Sequence, residues 1–392
     1  MSYRKLKADY LFDGQNLLAS DAVLVCKTDG TIETILHENQ AGGDLEKYSG
    51  LISPGFINCH CHLELSHLRG LIPERQGLVN FIFSVMGQRR QTLDVILEAM
   101  QLAEAGMLAS GIVAVGDICN TADSLAVKSA GKLDYYNFVE LLGWVPGQAA
   151  SRYEQGKQVA EKLLTGGQDE NHLSLSPHAP YSVSAELWNL MIPGFAGKTI
   201  TIHNQESAAE NEFFNHGSGD FADMYSRMNI DTGHFLAPGS RSLPFYLNRL
   251  KDASRILLVH NTFMGEADWK EAVAFHDQLF FCLCPRANWF IENRLPDIPL
   301  LMKTPGRMVL GTDSLASNHQ LSILEEMKII KEHFPSIATS QLLVWATSNG
   351  ARALSFSDRL GAFSKGKKPG IVLIEQLAGG EIHAASTSRR IL

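Results

Sequence analysis

No uninterrupted apolar run in the 392 residues is long enough to cross a bilayer. The opening stretch, Met1-Ser2-Tyr3-Arg4-Lys5-Leu6-Lys7, is polar and lacks the apolar core of a secretory signal, so the cytoplasm is the expected compartment. Basic residues are not in excess. A formal charge of −8 argues against nucleic acid or an anionic membrane as a partner. Cysteine is scarce, and six in so long a chain do not suggest a disulfide scaffold. Cys59/Cys61 and Cys282/Cys284 form two Cys-x-Cys pairs, but that spacing is tighter than structural zinc motifs use. Buried, inert thiols are expected. No Gly-x-Gly-x-x-Gly turn follows a predicted strand, which removes the main signal of a doubly wound nucleotide-binding sheet. Internal repeats and low-complexity tracts are missing too.

What is present is a large apolar fraction, 45% of residues, enough for a sizeable core and more than one minimal domain. Residues 21–26 and 31–36 alternate around an Asp29-Gly30 turn, a strong hairpin signal. Near the other end, 370–374 and 381–384 repeat that pattern. Between them, strand candidates at 51–62, 111–117, 133–142, 172–178, 198–206, 256–260, 278–285 and 306–313 alternate with helical segments. Eight strands separated by helices predict an α/β fold, a closed parallel (β/α)8 TIM barrel over 51–355. Residues 1–50 and 356–392 then supply a small β-sandwich domain built from both chain termini. The connections 63–90 and 207–255 are long and aromatic, as lids over a barrel mouth would be.

The polar residues of this region gather at the predicted C-terminal strand ends, where a barrel carries its active site. Strand one, Pro54-Gly55-Phe56-Ile57-Asn58-Cys59-His60-Cys61-His62, ends in two histidines one residue apart. Strand alternation puts His60 and His62 on one face and Cys59 and Cys61 on the other. His178 closes strand four, His203 with Glu206 strand five, His260 strand six and Asp313 strand eight. Any one of them alone reads as a core histidine or a capping aspartate. Five histidines and one aspartate at ends, with hardly any at starts, are hard to explain by packing. Three imidazoles and a carboxylate suit one divalent metal ion: zinc by ligand type, with iron or manganese as substitutes. The expected ligands are His60, His62, His203 and Asp313. Such an ion lowers the pKa of bound water to about 7, giving a metal-bound hydroxide. Glu206 is placed to act as general acid, and His260 with Asp313 to take the proton of the water.

A barrel set into a small β-domain, with His-x-His, His-x-x-Glu, a sixth-strand histidine and Thr-Asp, resembles the amidohydrolase superfamily over nearly the whole chain. Pro177-His178-Ala179-Pro180-Tyr181-Ser182-Val183-Ser184, Ile202-His203-Asn204-Gln205-Glu206 and Gly311-Thr312-Asp313-Ser314 are similar to its deaminase and chlorohydrolase branch. That resemblance implies a substrate contact at His178. It also implies a single metal, since strand four carries no lysine to bridge two. The run His60-Cys61-His62-Leu63-Glu64-Leu65-Ser66-His67 resembles bacterial aminofutalosine deaminases, which act on an adenine nucleoside in menaquinone synthesis. The implied activity is hydrolytic deamination of a small-molecule nucleoside with release of ammonia, by an enzyme that is commonly a homodimer. Glu64 and Glu140 are candidate ribose or base contacts, although Glu140 would equally suit a basic neighbour. Arg286, with Arg69 and Arg75, is a candidate for the benzoate tail of that substrate, against the plainer reading of surface arginines. Three readings compete with this one. They are deamination of guanine or another heterocycle, triazine-type chlorohydrolysis and, from another class, a non-catalytic scaffold relative.

Overall fold

The structure, a computed structural model, describes residues 3–392. Its first strands are β1 (Tyr3–Lys7), β2 (Tyr10–Leu11), β3 (Ala22–Lys27), β4 (Ile32–His37), β5 (Glu46–Lys47) and β6 (Leu51–Pro54). β3 and β4 pair antiparallel, as the hairpin signal predicts. Gly30 takes φ +88° in their turn, a conformation that costs glycine little. Asp29 Oδ1 accepts the Thr31 N–H at 3.0 Å and closes the turn.

Eight mostly buried strands follow: β7 (Phe56–Cys61), β8 (Ile112–Cys119), β9 (Asp134–Leu141), β10 (Leu173–Pro177), β11 (Thr199–Asn204), β12 (Arg255–His260), β13 (Leu279–Leu283) and β14 (Met308–Leu310). They form two parallel four-stranded sheets, ordered β10-β9-β8-β7 and β11-β12-β13-β14. Near-continuous apolar runs are what strands covered on both faces need. The sheets touch at both seams. Thr312 and Asp313 donate their backbone N–H groups to the His60 carbonyl at 3.0 and 3.1 Å, and His203 N–H donates to the His178 carbonyl at 2.9 Å. Helices at Leu93–Ala109, Ala149–Thr165, Ala185–Met191, Glu266–Phe275 and Ile323–His333 lie between successive strands. This is an α/β fold of TIM-barrel type. Ile57, Cys59, Phe138, Val259, Phe280 and Val309 join the two sheets in one apolar cluster. Phe56, Cys61, Val139, Leu258 and Phe281 pack instead toward the helices.

After the last helices, β15 (Ile371–Glu375) and β16 (Thr387–Arg390) complete the chain. Two more four-stranded sheets result, β4-β3-β1-β5 and β16-β15-β6-β2, so strands from both ends share the second. Leu6, Leu24, Ile32, Ile52, Ile371 and Leu373 form an apolar core between them.

Three expectations need correction. The run 51–62 is two strands, not one. At Gly55 a Cβ would sit 2.3 Å from Val113 Cγ1 and 2.7 Å from the Pro369 carbonyl, so the chain crosses from one layer to the next there. Residues 381–384 are not the partner of β15. Glu381 is held by Lys331 Nζ at 2.7 Å and the Thr339 hydroxyl at 2.8 Å, while Ile382 packs into the helix-side core. Finally, Cys59 and Cys61 do not share a face. The β7–β8 register slips between Asn58 and Cys61, and such a bulge resets the alternation. All six cysteines are free and buried, as expected.

The long connections are helical. Leu78–Gln88 follows β7, while Ala208–His216, Asp220–Arg227 and Ser242–Tyr246 follow β11. Their aromatic rings stack with Trp144: Trp144 on Tyr225 at 5.3 Å and Phe213 on Phe235 at 4.7 Å between centroids. Arg227 caps the Phe83 ring at 4.0 Å, a cation–π contact that ties the two connections together. The crossing at Gly55 gives a test. Gly55→Ala should lower stability by about 1–3 kcal/mol through overpacking, read as a lower urea midpoint at unchanged slope.

Candidate active site

The expected residues meet at the C-terminal ends of the parallel strands. His60, His203, His260 and Asp313 each bring one side-chain atom within 4.8 Å of the others. His62 joins them, its Nε2 3.2 Å from His60 Nε2 and 3.3 Å from Asp313 Oδ1. Glu206 lies alongside, with Oε1 3.6 Å from His260 Nε2. His178 stacks nearby, its ring centroid 4.8 Å from that of His203.

Unusual backbone aims these side chains. Gln205, His260 and Asp313 take φ of +46°, +70° and +55°, each at a cost of about 1–3 kcal/mol for a residue with a Cβ. Surrounding bonds hold them there. Glu210 accepts the Gln205 N–H at 3.1 Å, Asn261 N–H donates to the Asn204 carbonyl at 3.0 Å, and Tyr246 donates to Asn204 Oδ1 at 2.7 Å.

Neighbours also fix the ring tautomers. His203 Nδ1–H donates to the His178 carbonyl at 2.7 Å, and His260 Nδ1–H donates to Asn288 Oδ1 at 3.1 Å. The Ser182 hydroxyl donates to the Ala179 carbonyl, so it accepts from His178 Nδ1 at 2.7 Å. In all three rings Nε2 is left with a free lone pair. Ser317 donates its hydroxyl to Asp313 Oδ2, leaving Oδ1 toward His60 and His62.

Burial sets the charges. It lowers the pKa of His60 and His260 and drives His203 well below the usual imidazole range. His62 and His178 fall to about 4 for the same reason. Burial pushes Glu206 well above the usual carboxyl range, helped by the charge of Asp313, and it raises Glu140. Asp313 goes the other way. Burial alone would raise it, but the hydrogen bond with His60 holds it well below. One carboxyl is thus kept protonated beside one kept ionised, the separation that acid–base chemistry requires.

These groups form one end of a cavity of about 410 Å³. Its upper walls are apolar: Leu78, Phe81, Ile82 and Val85 from one long connection, and Met224, Tyr225, Met228 and Ile230 from the other. Asn120 and Glu140 add polarity, joined Nδ2 to Oε2 at 2.9 Å.

Two expected contacts lie elsewhere. Arg286 does not line this cavity. Its backbone N–H donates to Glu326 at 2.9 Å and its guanidinium to Glu325 at 3.4 Å, because the helix Pro285–Glu292 turns it outward. Glu64 is buried behind the wall, where it accepts the backbone N–H groups of Asn120 at 3.2 Å and Thr121 at 2.9 Å. It props Asn120, and burial raises it to about 7. The cavity arginines are instead Arg89, just past the end of Leu78–Gln88, and Arg152, within Ala149–Thr165. A search confined to strand ends passes over them.

The donor set fits a divalent cation. Neutral imidazoles and an ionised carboxylate converge, with His60 Nε2 3.2 Å from His62 Nε2 and 3.6 Å from Asp313 Oδ1. Nitrogen and oxygen donors of this kind suit zinc.

A sequence model described as the amidohydrolase family matches residues 51–387. The chain belongs to that family. An amidohydrolase relative named aminodeoxyfutalosine deaminase, from Nitratiruptor sp., is 26% identical over 357 residues, covering 88% of this chain and 84% of the relative. The crystal structure of Helicobacter pylori aminofutalosine deaminase with methylthio-coformycin superposes with a TM-score of 0.78 at 21% identity, over 96% of this chain and 93% of that one. An adenosine deaminase from Xanthomonas campestris with bound zinc gives a TM-score of 0.71 at 22% identity, over 95% and 84%. Both show the same fold.

The charge assignment is measurable. For a base, a lowered pKa means the neutral ring persists to lower pH. His62 and His178 in the metal-free chain should therefore stay neutral through pH 5 and gain a proton only near pH 4. Histidine-selective NMR titration reads this directly, and titration near 6.5, the unperturbed value, would mean that water reaches the rings.

Proposed function

We propose that this amidohydrolase is a metal-dependent hydrolytic deaminase of an adenine-like nucleoside, with aminofutalosine as the leading substrate. The observation that carries the reading is the convergence of neutral imidazoles on ionised Asp313, beside a protonated Glu206, under an apolar cavity. The relative named aminodeoxyfutalosine deaminase supports the substrate, and the zinc-bearing neighbour supports zinc as the metal.

His60, His62, His203 and Asp313 would hold the ion. When bound, it supplies an activated water with a pKa near 7. Glu206 donates its proton to the ring nitrogen next to the amino-bearing carbon. His260 Nε2 and Asp313 accept one proton of the attacking water and pass it to the departing amine, and the remaining hydroxyl proton returns to Glu206, so ammonia leaves and the ring keeps the oxygen as a carbonyl. His178, through its free Nε2, and Glu140 orient the base. The apolar walls exclude bulk water, which strengthens each of these contacts.

The surrounding architecture is read in the same way. The seam hydrogen bonds support one closed eight-stranded barrel that begins at β7, since β6 (Leu51–Pro54) pairs with β15 and β2. The shared apolar core of the terminal sheets, Ile52 of β6 included, supports a β-sandwich formed by the strands of 3–54 with β15 and β16.

Ammonia release by the zinc-loaded chain should be fastest with aminofutalosine in a panel that also holds adenosine, methylthioadenosine, guanine and a chlorotriazine. No ammonia from any aminated ring would end the deaminase reading, and chloride release alone would favour the chlorohydrolase. Glu206→Gln should keep its zinc and lose at least about 10²-fold in kcat, the scale of general acid catalysis. A near-normal rate removes Glu206 from that role.

A further inference from the structure

Beneath the strand ends lies an ion pair that the chemistry above does not use. Lys128 Nζ sits 2.6 Å from Asp117 Oδ2, and neither side chain has exposed surface. Taking two charges out of water is costly, and apolar replacements are often as stable, so stability alone is a poor reason for the pair. Its other bonds suggest a better one. Lys128 also donates to Asn137 Oδ1 at 2.8 Å. The second oxygen of Asp117, Oδ1, accepts the backbone N–H of Leu63 at 2.9 Å, and Leu63 directly follows His62.

The β7–β8 ladder inserts an extra residue between Asn58 and Cys61, just where His60 and His62 leave the regular strand. A bulge re-aims side chains but leaves the backbone beyond it less constrained. The Leu63 N–H finds its acceptor in a side chain of β8 instead of in a strand carbonyl. Asp117 thus pins the peptide that joins His62 to Leu63, and Lys128 with Asn137 fixes Asp117 from behind.

We propose that Asp117, clamped by Lys128, is a positioning residue that sets the direction of the His62 imidazole and with it the affinity of the site for a divalent cation. This rests on the reading of His62 as a metal ligand. Supports one shell behind a ligand typically change metal affinity 10–100-fold.

Competition between the purified full chain and a chromophoric chelator for zinc tests it. Asp117→Leu, which removes the acceptor of the Leu63 N–H, should bind zinc at least about 10-fold more weakly. The Asp117→Leu, Lys128→Met double variant should show the same loss, and it leaves no orphan charge to prevent folding. Glu104→Gln is the control. Glu104 is also buried, accepting from Tyr135 at 3.0 Å beside Lys132 at 3.4 Å, but it does not touch the Leu63 peptide. It should lower the melting temperature and leave zinc affinity unchanged. Unaltered affinity in either Asp117 variant, or an equal loss in Glu104→Gln, overturns the proposal. An unsubstituted chain that takes up no zinc overturns the metal reading itself.

Discussion

Five imidazoles share one small volume only because none of them is charged. Ring centroids of His60, His62, His178, His203 and His260 fall between 4.8 and 5.8 Å for the pairs in contact. Two imidazolium ions about 5 Å apart would repel by roughly 3 kcal/mol at an effective dielectric of 20, and several such pairs would open the site. Burial removes the charge, and a backbone carbonyl, an asparagine and a serine decide which nitrogen keeps its proton in three of the rings. Lone pairs are thereby stored facing one another, an arrangement that water would otherwise dissolve.

The rest of the molecule maintains that condition. Apolar strand faces and helices behind them form a rear half devoted to packing. The front half carries residues in costly backbone conformations, at Gln205, His260 and Asp313. Strain of about 1–3 kcal/mol at each is tolerable because the strands that end there are almost wholly buried. Stability is generated at one end of the strands and consumed at the other.

Much of this was legible in the sequence. The site histidines, Glu206 and Asp313 stood out because polar residues ending apolar runs are conspicuous, and strand ends converge in an α/β fold whatever the details of the helices. Less was visible where tertiary contacts decide. The opposite facing of Cys59 and Cys61 follows from a register slip that no local pattern encodes. Glu64 looked like a cavity group from its nearness to His62, but the short helix Leu63–Leu68 swings it behind Asn120. Arg286 was sought for its place after a strand, yet an outward helical turn delivers it to Glu325 and Glu326. Arg89, just past a helix end, and Arg152, within a helix, lie far in sequence from the strand ends, and only the assembled cavity reveals their part. Likewise, alternation around Ile382 resembled a strand because a single apolar side chain reaches the helix-side core.

The contact between Arg227 and Phe83 joins two walls of the cavity. The helices that bear them, Asp220–Arg227 and Leu78–Gln88, supply much of the apolar wall, and each hangs from a different strand end. Neither residue lines the chamber, so the contact acts on it through the two helices: walls that belong to different strand ends are held as one unit over the imidazoles.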